Sequence, residues 1–92
     1  MGRSFFSDKV GEVVKIFNDF YNDHKDACDE HIRQVKAEGL YNNLETRLAW
    51  DFARATSYSK WMPKDEKGFV AGDTAKQTTL FKQALRKSKI SY

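Results

Sequence analysis

One cysteine, one proline and five glycines in 92 residues leave little material for staples or sharp turns. Cys28 has no second cysteine in the chain, so no intrachain disulfide can form, and this usage fits a reducing compartment. No apolar run approaches the ~18 residues that a membrane-spanning helix requires. The opening Met1-Gly2-Arg3-Ser4-Phe5-Phe6-Ser7 lacks the apolar stretch and small-residue cleavage site of a secretory signal. These absences predict a cytoplasmic protein with no membrane contact. Also missing are a phosphate-binding loop, GxGxxG, HExxH, an EF-hand loop and GxSxG, so no common catalytic or cofactor-binding signature is present. Repeats, low-complexity tracts and Pro/Gly-rich linkers are absent as well, which predicts a single domain over residues 1–92.

What the chain does have is a globular balance, 40% hydrophobic and 32% charged, with thirteen aromatic residues for a core or a contact surface. Its charge is unevenly placed. Residues 1–73 carry eleven Lys/Arg and all thirteen Asp/Glu, whereas residues 74–92 carry Lys76, Lys82, Arg86, Lys87 and Lys89 and no acid. A basic tail on a mildly acidic body fits contact with nucleic acid or an acidic partner. It also fits cations set against a helix dipole.

Hydrophobic spacing predicts an all-α fold of three helices. In the first, over about 8–38, Val10, Val14, Phe17, Tyr21, His24, Cys28, His31 and Val35 recur at spacings of three and four, flanked by Val13, Phe20 and Ala27. Ser7 or Asp8 would cap its start, and Gly39 followed by Leu40 reads as a left-handed stop with an apolar clamp. Unbroken, such a helix would extend ~46 Å, so it spans the domain or bends, with Gly11 as a weak point. A second helix over about 43–62 begins at Asn42, which has capping-box spacing to Glu45. It carries Leu44, Leu48, Phe52, Ala55 and Met62 on one stripe and ends at Pro63. Residues 63–73 read as a loop whose Phe69 and Val70 plug into the core. A basic C-terminal helix over about 75–88 follows, with Thr74 and Gln77 at capping-box spacing and Leu80, Phe81, Ala84 and Leu85 inward.

Four features could carry function. His24-x3-Cys28-x2-His31 stacks two imidazoles and a thiol on one helical face. These are zinc ligand types, but helices two and three offer no His or Cys as a fourth ligand, so core packing is preferred and no metal is expected. A Cys–His nucleophile is disfavoured too, because a mid-helix thiol on a core seam lacks an orienting group and a substrate pocket. Asp19, Asp23, Asp26 and Glu30 form an acidic row, either a solvated face or a mimic of a phosphate backbone. Trp50 and Trp61 project together opposite the leucine stripe, with Arg47 and Arg54 beside them. Trp, Tyr and Arg are enriched at contact hot spots, although a sandwiched helix would bury the same rings. Lys82, Arg86 and Lys89 share a face that could hold phosphates, but no aromatic there could stack on bases.

The expectation is therefore a small non-catalytic binding protein without a cofactor. It would dock on a larger protein or nucleoprotein through Trp50, Arg54, Trp61 and Arg47, or through Asp19, Asp23, Asp26 and Glu30. An inhibitor or modulator of a nucleic-acid-handling complex fits that description. The alternative is direct nucleic-acid binding through Lys82, Arg86 and Lys89. Self-association through an uncovered stretch of the long helix is a third possibility.

Overall fold

The computed structural model describes residues 5–39, 43–57 and 74–92. All regular structure among them is helical: α1 (Phe5–Asp23), α2 (Lys25–Ala37), α3 (Leu44–Ala55) and α4 (Thr74–Lys87). The all-α class holds, but among the described residues there are four helices rather than three, because the long first helix is broken.

The break falls at His24, where the backbone leaves helical geometry at φ −133°, ψ 41°. Neither proline nor glycine causes it, and Gly11 lies inside an intact α1. Asn22, Asp23 and His24 are three consecutive residues of poor helix propensity, and Asn and Asp side chains compete for backbone bonds. Few hydrogen bonds are given up. The His24 amide donates to the carbonyls of Phe20 (3.0 Å) and Tyr21 (3.2 Å), and the His24 carbonyl accepts from the Cys28 amide at 2.8 Å. A side-chain clasp crosses the bend: the Tyr21 hydroxyl donates to Asp29 Oδ1 at 2.7 Å, eight residues on, and Lys25 holds Oδ2 at 3.0 Å. Bending also resolves the length problem, since the longest extent of the molecule is 40 Å.

Helix ends differ from expectation in three places. α1 already runs at Phe5, ahead of the predicted Ser7 or Asp8 cap. α3 stops at Ala55 rather than near residue 62. There Thr56 Oγ1 donates back to the Ala53 carbonyl at 2.9 Å and Ser57 turns into the left-handed region at φ 57°, its amide donating to the Arg54 carbonyl at 3.0 Å. At the start of α3 the N-cap position falls on Asn43, which makes no side-chain cap bond, and the Glu45 carboxylate accepts from Arg86 of α4. Asn42, Leu40 and the loop 63–73 with Phe69 and Val70 lie outside the described residues, as does Trp61. Gly39 does end α2 in the left-handed region, at φ 77°.

α4 is the central element, packed against α1 on one side and α3 on the other, while α2 meets α3 over a smaller area. Phe17 of α1 touches both Phe52 of α3 and Phe81 of α4, with ring centroids 6.2 and 6.4 Å apart. Val13, Leu48, Leu80 and Leu85 are fully buried around these rings, and Ala49, Ala53 and Ala84 are buried with them. Small side chains at the α3 and α4 contact let the two axes approach. The predicted seam is followed through Val10, Phe17, Cys28 and Val35, but Ile32 is buried where His31 was expected, and His24 and Ala27 are exposed.

The basic end of α4 is anchored rather than free. Arg86 grips the Glu45 carboxylate with two donors, at 2.5 and 2.7 Å, and the Tyr92 hydroxyl donates to the same group at 2.8 Å. Beyond α4, Ile90 is buried and the Lys89 amide donates to Asn18 Oδ1 at 2.6 Å, so the tail folds back over α1.

Candidate functional site

The α1–α2 bend and α3 leave an open cleft of about 400 Å³ between them. Its apolar lining comes from Phe20, Ala27, Cys28, Phe52 and Ala55, and its polar lining from His24, His31, Arg47, Asp51 and Arg54. The volume and the mixture, mostly apolar with a few convergent polar groups, are those of a binding site.

Asp51 organises the polar side. Arg47, Asp51 and Arg54 sit at spacings of four and three on one face of α3, so both guanidinium groups reach the same carboxylate. Arg47 Nε donates to Oδ2 at 3.0 Å and Arg54 Nη2 to Oδ1 at 3.1 Å. From α2, His31 Nε2 lies 2.6 Å from Oδ2. Burial pushes the Asp51 carboxyl up, but hydrogen bonds from His31, Arg54 and Arg47 and the Arg47 charge outweigh it, holding the group below the usual carboxylate range. Asp51 is therefore ionised at neutral pH and can only accept, which places a proton on His31 Nε2. Arg47 also ties α3 to the end of α2 by donating to Glu38 Oε1 at 2.8 Å. Arg54 is 65% exposed and bonds to Asp51 alone among the described residues, so most of its donors face outward.

His24 sits at the cleft's other wall, its ring edge-on to Phe20 at 4.5 Å. Cys28 is buried, and burial, with the nearby Asp29 charge, pushes its thiol up, the opposite of an activated thiolate. The His31–Asp51 pair and Cys28 thus line one cleft, with burial favouring the protonated thiol. Among the described residues no group of three His, Cys, Asp or Glu side chains converges as metal ligands would.

Trp50 packs into the α3–α4 contact: its ring lies edge-on to Phe81 at 5.1 Å, its Nε1 donates to Thr78 Oγ1 at 3.1 Å, and it is half-buried. Arg47 and Arg54 instead rim the cleft. Asp19, Asp23, Asp26 and Glu30 are all exposed and are divided between α1 and α2 by the bend. Asp19 pairs with Lys15 at 2.9 Å and Glu30 with Arg33 and Gln34, whereas Asp23 and Asp26 make no ion pair among the described residues. On the basic side, Lys82 lies 3.9 Å from Glu45, Arg86 is bound to it, and Lys89 is exposed.

Asp51 was not singled out from sequence, nor was the cleft. The Arg47-x3-Asp51-x2-Arg54 spacing was the available signal, because a carboxylate flanked by cations one turn away on each side marks a pre-arranged polar cluster. Compared with protein-family models, curated proteins and solved structures, the chain matches none.

Proposed function

We propose that this protein is a small, non-catalytic binding module that docks on a larger protein partner through the cleft between the α1–α2 bend and α3. The observation that carries the reading is an open, mainly apolar cleft held in shape by the Asp51 cluster and rimmed by Arg47 and Arg54. Hydrophobic floor, rigid polar centre and arginine rim are the ingredients of a contact hot spot. The held proton on Cys28 supports a binding role over nucleophilic chemistry. Relative to the sequence expectation the contact face moves from Trp50 to the cleft, and Arg47 and Arg54 stay in it. The exposed carboxylates of Asp19, Asp23, Asp26 and Glu30 suit a partner with basic surface, as nucleic-acid-handling proteins have, and an inhibitory or modulating role fits there.

Direct nucleic-acid binding through Lys82, Arg86 and Lys89 has less support, because Arg86 already directs two donors to Glu45. Affinity capture from the native host tests the reading, comparing wild type with Ala27→Trp, which fills the cleft, Arg54→Glu, and Lys15→Glu as a control away from the cleft lining. A partner retained by wild type and the control, and lost by both cleft variants, is the expected result. Equal recovery by all four proteins would overturn the proposal. Salt-sensitive DNA or RNA binding abolished by reversing Lys82, Arg86 and Lys89 would favour the alternative.

A further inference from the structure

The two lips of the cleft carry opposite charge. On the α1–α2 side, the lining residues His24, Ala27 and His31 are each preceded by an acid: Asp23, Asp26 and Glu30. On α2 a residue one position earlier lies about 100° to one side, and because Cys28 and Ile32 on the opposite side of Ala27 and His31 are buried, Asp26 and Glu30 form the outer edge of that wall, with Asp23 exposed at the end of α1 where the chain bends. Two of them, Asp23 and Asp26, have no ion-pair partner among the described residues. On the α3 side the edge is formed by Arg47 and Arg54, the latter with most of its donors turned outward. Between the lips lies the apolar floor.

Resting on the docking role proposed above, we infer that the occupant is an amphipathic helix of a protein partner whose apolar seam enters the cleft, with carboxylates along one flank and Lys/Arg along the other. Charge complementarity at the two lips selects this occupant over a uniformly acidic or uniformly basic one, since either would meet like charge on one side. Size points the same way. An α-helix with its side chains is ~10–12 Å across, so a cleft of about 400 Å³ admits seam side chains while the helix backbone rides over the lips. Carboxylates of the partner meet Arg47 and Arg54, and its cations meet Asp23 and Asp26. Opposite flanks also fix the rotation of the docked helix about its own axis.

Three synthetic helical peptides with the same leucine seam test this: one with Glu on one flank and Lys on the other, one with Glu on both, one with Lys on both. Titration followed by amide NMR shifts should show the mixed peptide binding tightest, by about tenfold, with shifts at Ala27, Phe52 and Ala55. Arg47→Glu/Arg54→Glu makes both lips acidic and should transfer the preference to the all-Lys peptide. Asp23→Lys/Asp26→Lys should transfer it to the all-Glu peptide. Equal affinities for the three peptides, preferences unmoved by the lip reversals, or no shifts at the cleft would each overturn the inference. Failure here with loss of the captured partner in the cleft variants would leave the docking role standing. Peptide preferences as expected with unchanged capture would instead remove the docking role.

Discussion

Asp51 accepts from three side chains at once, and removing its carboxylate leaves His31, Arg47 and Arg54 with donors facing one another in a site where Asp51 itself is only 15% exposed. Asp51→Ala should lower stability by about 1–3 kcal/mol in urea unfolding, and Asp51→Asn, which keeps one acceptor, by less. Its carboxyl and that of Glu45 are both held below their ordinary range in the fold, Glu45 chiefly by the Arg86 hydrogen bonds. In acid the unfolded chain therefore binds protons that the native chain resists. The stability from these groups is complete above the ordinary carboxylate range, near pH ~4, and declines as pH falls through the lower native values. Thermal melts should show an acid-side loss that Asp51→Asn and Glu45→Gln reduce. Tyr92 behaves in the opposite sense. Burial and then its bond to Glu45 push its hydroxyl up to about 12. Its contribution is full below the ordinary tyrosine value of ~10 and is lost as pH rises toward the native one. Ultraviolet difference titration of the four tyrosines should reveal a late-ionising group that disappears in Tyr92→Phe.

At the scale of elements, the α1–α2 bend is the feature that opens the cleft, and it rests on weak local propensity plus the Tyr21–Asp29 clasp. Tyr21→Phe should leave the melting temperature nearly unchanged while hydrogen exchange speeds up at the amides of residues 25–28, where the clasp holds the first turn of α2. Gly11 lies exposed inside α1 with open space around it, so Gly11→Ala should stabilise by about 0.5–1 kcal/mol through helix propensity alone. Much of the element pattern was legible in the sequence. α4 fell within one residue of its expected start and end, because Leu80, Phe81, Ala84 and Leu85 set an unambiguous inner face. Gly39 marked the end of α2. The bend at His24 was not legible, since the apolar spacing continues across it and periodicity reports faces rather than axis direction. The end of α3 was missed because Pro63 offered a stronger stop signal than Thr56, which acts through its hydroxyl bond to the Ala53 carbonyl, and Ser57, which acts through a left-handed backbone. The contact of Trp50 with α4 was not legible for a related reason: a helical projection of α3 alone does not contain α4, which takes in a ring that projects away from the leucine stripe.

For the whole molecule, the arrangement of α1 and α3 on either side of α4 makes Phe81 the shared anchor, in contact with Phe17 and Trp50. Phe81→Ala should cost about 3–5 kcal/mol. Against a typical total of ~5–15 kcal/mol for a domain, circular dichroism melts should show loss of much of the transition or outright unfolding. α2 adds Cys28, Ile32 and Val35 to the same core, and the cleft is lined by the core residues Cys28 and Phe52, so contact chemistry and fold stability meet where α2 faces α3. Entry of a partner between α2 and α3 can be read by photo-crosslinking in the native host from a photoreactive residue at Ala55, compared with one at Lys15. A discrete adduct to a single partner should form from position 55 and none from position 15. Adducts of equal yield from both positions, or adducts from position 15 alone, would contradict it.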